Sequence, residues 1–547
     1  MNRRGSSAMT QARDFGVRNI HIAAFLLLYA GLRLALLRSV PMNSDEPQHA
    51  HVAWALSQGL VPYRDVFDNH TPLFHVLYAP VVAALEHASD VLLKLRLAII
   101  PVAVAALAFA AAIGTRLWDR GVALWGIAFA SALPTYLLEA GEFRTDALWA
   151  AAWIATVAMA VCGRWTRARA YGFGLLAGTC FAISMKSTLL LSGFLLAWSA
   201  VLLANPTRTS LKRALRDATL VLAGCLTIPA AIVGWVATRG GLAAMRYGVI
   251  EHNMISGLGR THGASWRLPL TIVALALALF AVMRFARTSP LKARRALVVG
   301  GAVVYLLLLY GTWPLLTRQD LLPVIPLLTV GLAGWWRSRL HERLGASAVA
   351  LVVIGILLGL HRYPPWIDRT GTERATLAEV LSITTDRDPV MDDKGAAIFR
   401  MRPFYFALED ITLERMRRGL IVDDIPDRLV QSNTHVIWMR RLPKQDAGFV
   451  AENYVPTGNA VMVAGRNLEF VRGASARAVQ MRLPGVYALV SPGSSAPVVA
   501  DIDGTPYTGP RWLGAGAHMI GASNSGAYVL VWQPAAALLQ RNGMPRS

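Results

Sequence analysis

Apolar residues crowd into the first 361 positions of the chain, in long runs separated by short basic or polar segments. A bilayer's hydrocarbon core takes about 20 apolar residues per helix, within a range of roughly 17–25. Runs of that kind lie at about 20–40, 93–113, 121–139, 146–163, 170–185, 187–204, 218–238, 268–284, 296–312, 320–336 and 345–361. They predict a polytopic α-helical membrane protein with about eleven transmembrane helices. A further apolar stretch, 72–88, holds two prolines, two histidines and a glutamate. Between the first run and 93 lies a long outer loop, about 41–92. In it Ala50, Ala53, Trp54 and Leu56 recur at helical spacing, with Pro47 suited to a first turn and Gly59 to a stop. This predicts a short amphipathic helix lying on the outer surface, with His49 and His51 along it. A second interfacial helix is expected at 72–88.

The pattern changes after 361. Residues 362–465 mix strand-like runs (Pro389–Met391, His435–Met439) with a helical stretch, Ile411–Arg418, which predicts an α/β domain. Residues 466–547 alternate Ala478–Leu483, Tyr487–Ser491, Pro497–Ile502 and Tyr528–Trp532 with Gly/Pro/Ser turns, which predicts a small β-sandwich. The order Asp503-Gly504, Trp512-Leu513, Gly516-Ala517-His518 is similar to sugar-binding or jelly-roll modules. A packing domain without ligand fits it equally.

Composition sharpens this. The 547 residues are 54% apolar and 16% charged, with 54 Lys+Arg against 33 Asp+Glu and a formal charge of +21. Mean hydropathy is +0.43. An average soluble protein carries about 25% charged residues, so the deficit excludes a soluble enzyme and a disordered chain. The cations decide topology, because cytoplasmic loops collect Lys and Arg. With 72–88 interfacial and the N-terminus in the cytoplasm, Arg164/Arg167/Arg169, Lys212/Arg213/Arg216, Arg284/Arg287, Lys292/Arg294/Arg295 and Arg337/Arg339 all fall inside. If 72–88 spanned, every later loop would flip. The region after 361 is therefore expected outside the cytoplasm. Arg3 and Arg4 precede the first span and no small-residue cleavage site follows it, as in an uncleaved signal anchor. The basic excess is thus topology, and no basic–aromatic strip points to nucleic acid. Cys162, Cys180 and Cys225 lie in apolar stretches without C-x-x-C spacing, which excludes a disulfide framework or cysteine zinc site.

The polar chemistry collects at the outer boundary. Asp45 and Glu46 follow the first span; Tyr63, Arg64, Asp65, Asp68, Asn69 and His70 follow the surface helix. Glu139, Glu142, Arg144 and Asp146 precede the fourth span, and Lys186 lies between the fifth and sixth. Arg239, Arg246, Glu251, His252, Arg260 and His262 form a third polar loop, and Arg318, Gln319 and Asp320 open the tenth span. Ionisable groups at membrane depth are costly and point to function. There is no phosphate-binding glycine loop, no dinucleotide fingerprint and no H-E-x-x-H. Glu46 and His49 form a single E-x-x-H, too little for a multi-helix metal centre. Nucleotide sugars are unavailable outside the cytoplasm, so an outer-face carboxylate suits transfer from a polyprenyl-phosphate donor. A carboxylate can serve as base to an acceptor hydroxyl. The leaving phosphate needs cations, for which Lys186, Arg144 and His70 are candidates, Arg246 and Arg318 weaker ones.

These features in order resemble the GT-C membrane glycosyltransferases, in the protein O-mannosyltransferase-like branch (glycosyltransferase family 39-like) that includes the lipid A aminoarabinose transferases. The resemblance rests on Asp45-Glu46, on Gly59 through Tyr63 and Asp65 to Pro72-Leu73, on Arg144-Thr145-Asp146, on Gly178 through Lys186, and on Asp320-Leu-Leu-Pro-Val-Ile-Pro326. It covers about 20–340. It implies an inverting transferase of the bacterial inner membrane with Asp45 as the first-loop base, Glu46 second and Asp146 in support. It implies Tyr63, Asp65 and Asp68 near the substrate, and a lipid, glycan or protein acceptor. His70-Thr71-Pro72 stands where relatives often carry Lys-Pro-Pro, so His70 or Asn69 would replace a phosphate-contacting lysine. Asp320 stands where an aromatic is common. The resemblance leaves room for a divalent metal without requiring one. A transporter or lipid flippase and a non-catalytic envelope protein also fit the composition. A transporter would place charges near mid-span and show an inverted repeat; here the charges sit at span ends and no clear repeat is found.

Overall fold

The computed structural model describes residues 4–205, 211–255, 266–313, 315–340, 344–458, 460–471 and 476–542. Every expected apolar run is helical. Five helices are long and apolar enough to cross a membrane: Val91–Leu117, Ser187–Ala204, Lys212–Thr238, Arg267–Ala286 and Pro290–Thr312. Shorter apolar helices lie at Asn19–Ala35, Thr145–Val161 and Ala346–Arg362. Lys212–Thr238 and Arg267–Ala286 bury only 11% and 6% of their most apolar windows inside the protein. Helices so apolar and so uncovered have lipid as their solvent. The run expected at 121–139 is broken into Arg120–Ala132 and Pro134–Glu139, with Leu133 extended between them. Proline excludes the helical conformation from the residue before it. The run expected at 320–336 likewise divides into a 3₁₀ turn, Arg318–Leu321, and a helix, Ile325–Leu340. Arg33, buried within the first helix, binds the carbonyls of Leu137 and Leu138. Gly178 packs against the backbone of Cys225, whose carbonyl oxygen an added Cβ would approach to 2.2 Å. Close backbone approach through small residues is how helices associate in lipid.

The stretch at 72–88 forms a helix of only 11 residues, Leu73–Ala83. At 1.5 Å per residue it spans roughly 16 Å, about half a hydrocarbon core. The first-loop helix runs Asp45–Ser57 and stops before Gly59, which has φ +81. It does not lie on the surface, as its pattern predicted. Glu46, Gln48, His49, Ala50, His51, Val52, Ala53, Trp54 and Ala55 are all buried. The reason is what covers it: Ala50, Ala53, Trp54, Phe74, Tyr78 and Val82 share one hydrophobic core with Leu377, Val380, Met391 and Ile398 from beyond the bundle.

The described residues of that C-terminal part form eleven strands: β1 (Val390–Asp392), β2 (Val436–Trp438), β3 (Tyr454–Pro456), β4 (Met462–Phe470), β5 (Arg477–Met481), β6 (Gly485–Val490), β7 (Ala500–Ile502), β8 (Thr505–Pro506), β9 (Arg511–Leu513), β10 (Gly516–Ala522) and β11 (Gly526–Trp532). A seven-stranded sheet runs β1-β2-β4-β11-β6-β9 with β3 also on β4, and a four-stranded sheet runs β5-β10-β7-β8. Among these described strands β1 and β2 pair in parallel and the other pairings are antiparallel. The division expected at 465/466 falls inside β4, and the larger sheet draws strands from both sides of it.

One buried ion pair fastens the first loop to the bundle. Arg96 of the helix Val91–Leu117 donates Nε to Glu46 Oε2 at 2.7 Å, and its Nη1 and Nη2 reach the carbonyls of Val40 and Pro41, each at 2.8 Å. Neither side chain is more than 3% exposed. Removing one partner of a buried pair leaves an uncompensated charge and costs about 3–5 kcal/mol, whereas neutralising both is far milder. Arg96→Met is therefore expected to lower the melting temperature in detergent sharply, and Arg96→Met/Glu46→Gln to recover much of the loss. A single variant that melts with the wild type would contradict the clamp.

Candidate active site

Asp45 and Glu46 occupy the first turn of their helix, where carboxylates are favoured by the helix dipole. Consecutive helical residues point about 100° apart, so the two carboxylates serve different neighbours. Glu46 is spent on structure: besides Arg96 it accepts the Asn43 N–H at 2.8 Å and the Phe143 N–H at 2.9 Å. Asp45 faces the junction. Its Oδ2 lies 3.0 Å from Arg144 Nη1 and its Oδ1 2.6 Å from Lys394 Nζ. Arg144 also reaches Asp146, Nε to Oδ2 at 3.2 Å, at the start of the helix Thr145–Val161. Lys186, between two helices, pairs with buried Asp320, whose other oxygen accepts the Thr317 N–H at 2.8 Å. Lys186 also feels the charges of Asp146 and Arg144. Lys394, Asp45, Arg144 and Asp146 form one run of ion pairs and Lys186 with Asp320 a second, and the longer-range attraction between Asp146 and Lys186 couples the two into one charge chain.

Burial opposes ionisation of Asp45, but Arg144 and Lys394 outweigh it and hold the carboxyl well below the usual carboxylate range. Glu142 shows the opposite balance. Burial and the neighbouring Glu46 push its carboxyl up to about 8, with Arg144 opposing them. It takes hydrogen bonds from Gln319 Nε2 at 2.9 Å and Asn43 Nδ2 at 3.3 Å.

Beside Asp45, one turn further along the same helix face, stands His49. Its Nδ1 is 2.9 Å from His75 Nε2. His75 Nδ1 lies 3.3 Å from Asp68 Oδ2, and Asp68 Oδ1 lies 3.0 Å from His70 Nδ1. His49, His75 and Asp68 are completely buried; His70 is partly exposed. Asn69 joins the same wall, since its carbonyl accepts from Asn253 Nδ2 at 2.8 Å, and that amide also touches Met185 beside Lys186.

Other candidates stand apart. Arg246 is 73% exposed and pairs with Glu251; Arg318 is 69% exposed, 3.8 Å from Glu139. Neither joins the charge chain. Asp65 caps a turn by accepting the Val61 N–H at 2.8 Å. Tyr63, with φ +68, donates its hydroxyl to the His70 carbonyl at 2.6 Å and so shapes the loop. Asp68 is the buried anchor of the histidines, and His49 and His51 are buried instead of lining a surface helix. Arg3, Arg260 and His262 lie outside the described residues.

Lys394 is the site residue that sequence reasoning missed. It sits in Asp392-Asp393-Lys394-Gly395, a turn at the carboxyl end of β1. Gly395 has φ +87, and a Cβ there would meet His51 Cβ at 2.6 Å, so the turn can approach the first-loop helix only through glycine. His51 completes the contact, Nδ1 to the Ile398 carbonyl at 2.8 Å. The polar turn after a strand was a readable signal; its destination was not. As for metal, Glu46 and His49 do not converge, being committed to Arg96 and His75, and among the described residues no group of three or more His, Cys, Asp or Glu is arranged to hold an ion.

No protein-family model matches the chain, and no curated protein matches it in sequence. Solved structures do match. ArnT from Cupriavidus metallidurans in the apo state aligns with a TM-score of 0.55 at 12% identity, over 81% of this chain and 97% of that one. ArnT from the same organism bound to undecaprenyl phosphate aligns with a TM-score of 0.57 at 14% identity, over the same shares of the two chains. At these identities the likeness is one of fold: over most of its length this chain shares the fold of these two ArnT structures.

Proposed function

We propose that this protein is a multi-pass membrane glycosyltransferase. It moves a sugar from a polyprenyl-phosphate donor to an acceptor at the outer face of the bacterial inner membrane. The observation that carries the reading is Asp45, ionised between Arg144 and Lys394 where the first loop, the bundle and the outer domain meet. The ArnT likeness supports it, since one of those structures holds undecaprenyl phosphate. In the proposed step Asp45 accepts the acceptor's proton while the acceptor oxygen bonds to the anomeric carbon. The bond from that carbon to the phosphate oxygen breaks, and polyprenyl phosphate departs with the electron pair. Attack opposite the leaving group inverts the anomeric centre. Lys186 and Arg144, with His70 and Asn69 on the adjoining wall, receive the phosphate's charge; preorganised cations in a water-poor site are the strongest source of such stabilisation. Asp146 orients Arg144. The eleven apolar helical regions are the proposed crossings, with the outer domain outside the cytoplasm.

Mass spectrometry of envelope glycans, with and without the gene, identifies the transferred sugar and its acceptor. Asp45→Asn keeps the shape of the site and removes the base. It is expected to reduce transfer by about 10²-fold or more in protein that still folds, with a melting temperature lowered by the two cations left unpaired, and retained transfer would sink the assignment. Topology has its own measurement. Val422 is 76% exposed on the outer domain. A Val422→Cys variant, with Cys162, Cys180 and Cys225 replaced, is expected to react with a membrane-impermeant maleimide added to spheroplasts. Reaction only after lysis would reverse the orientation.

A further inference from the structure

The histidines beside Asp45 have an order that fixes where their protons sit. Burial opposes ionisation of Asp68, but the hydrogen bonds its Oδ1 takes from the His70 backbone N–H and Nδ1, at 3.1 and 3.0 Å, favour the carboxylate, so it can only accept hydrogen bonds. His75 Nδ1 and Asp68 Oδ2 are 3.3 Å apart and buried, neither makes a hydrogen bond to any described residue, and a bare nitrogen lone pair facing that carboxylate oxygen would be repelled. The Nδ1 of His75 therefore carries the hydrogen. Burial drives His75 down to about 4, with Asp68 opposing, so at neutral pH its Nε2 is a bare lone pair. That lone pair faces His49 Nδ1 at 2.9 Å, which must then be the donor. Burial also drives His49 well below the usual histidine range, aided by His70, His75 and Arg144 and opposed by Asp45. Neutral and protonated at Nδ1, His49 presents a bare Nε2. That nitrogen is buried and has no hydrogen-bond partner among the described residues. An unmatched buried acceptor is destabilising, and this one is on the first-loop helix one turn from Asp45.

We infer that His49, His75 and Asp68 form a proton relay that takes the acceptor's proton onward from Asp45, so that the acceptor must be a group with a proton to lose, a hydroxyl. The inference rests on the transferase reading. Asp45, flanked by two cations, is a weak base that cannot hold a proton for long. The proton passes from the Asp45 carboxyl to His49 Nε2. His49 then releases its Nδ1 proton to His75 Nε2, and the imidazolium so formed lies against the Asp68 carboxylate. One proton enters and one positive charge moves inward; no other bond changes. His70, on the other oxygen of Asp68 and partly exposed, stands between this chain and solvent. An already ionised phosphate acceptor would need none of this. His49, His75 and Asp68 act through Asp45, and their role is positioning and relay.

Two measurements test this on the full chain in lipid nanodiscs. The first needs no substrate: nitrogen-15 NMR of histidine-labelled protein at neutral pH. His49 and His75 are expected neutral with the hydrogen on Nδ1, and Asp68→Asn is expected to lose that tautomer order. A wild-type His49 with its hydrogen on Nε2 overturns the relay. The second measures transfer with the donor and acceptor identified from the envelope glycans. His75→Gln keeps a polar side chain but cannot pass a proton. It is expected to lower kcat about 10²-fold at unchanged donor KM. The wild-type rate is expected to be level with pH and to fall only as pH drops toward the lowered histidine values, where the relay is already charged. The His75→Gln rate is expected to rise about tenfold per pH unit as hydroxide replaces the relay. Wild-type kinetics in His75→Gln, or an acceptor that proves to be a phosphate, overturns the inference and leaves the transferase reading standing. A wild type that transfers no sugar overturns that reading, while the NMR arm still decides the proton order.

Discussion

The Glu46 carboxylate is committed on both oxygens, to Arg96 and to two backbone N–H groups, and the rest of the junction depends on that commitment. Arg96 in turn holds the carbonyls of Leu37, Val40 and Pro41, in the segment that follows the first helix. A charge pair buried this deeply is weak as a source of net stability but severe as a constraint, because neither partner can leave without stranding the other. Asp45 is the adjacent residue, so its direction is set once Glu46 is fixed. Fixing one carboxylate structurally is what allows the other to face a site.

The strand-rich C-terminal domain is part of that site and not an appendage. The first-loop helices contribute to its hydrophobic core, and the turn after β1 returns Lys394 to Asp45. The segment around His252 is clamped from the same side, with His252 Nε2 on Glu409 at 2.7 Å and the His252 carbonyl on Arg415 Nε at 3.1 Å. C-terminal domain, first loop and apolar helical bundle thus meet at one set of charges. Such a meeting place suits a reaction whose donor arrives in lipid and whose acceptor arrives from water.

Much of this was legible in the sequence, for physical reasons that also mark where legibility ended. Long apolar runs have few alternatives to helix in lipid, so the helical regions could be read directly, and Pro47 and Gly59 bounded the first-loop helix closely. Asp45, Arg144, Asp146 and Lys186 stood out because charges at span ends are costly, and they come together. The burial of the first-loop helix was not legible, because what covers it lies far along the chain; His51 and Ile398 are 347 residues apart. For the same reason Lys394 looked like an ordinary turn residue. Strand β4 escaped because Gly465, Arg466, Asn467 and Glu469 interrupt its apolar pattern, although it is central to the larger sheet. Arg246 and Arg318 had the right charge but extend into solvent.

The central claim is that the charge chain from Lys394 to Asp320 receives a lipid-linked phosphate beside Asp45. A cryo-electron microscopy structure of the full chain in nanodiscs with undecaprenyl phosphate tests it most directly. The expected result places the phosphate oxygens within hydrogen-bond distance of Arg144 or Lys186, on the Asp45 side of the bundle. Phosphate bound elsewhere, with the Asp45 junction unchanged and closed to it, would contradict the account.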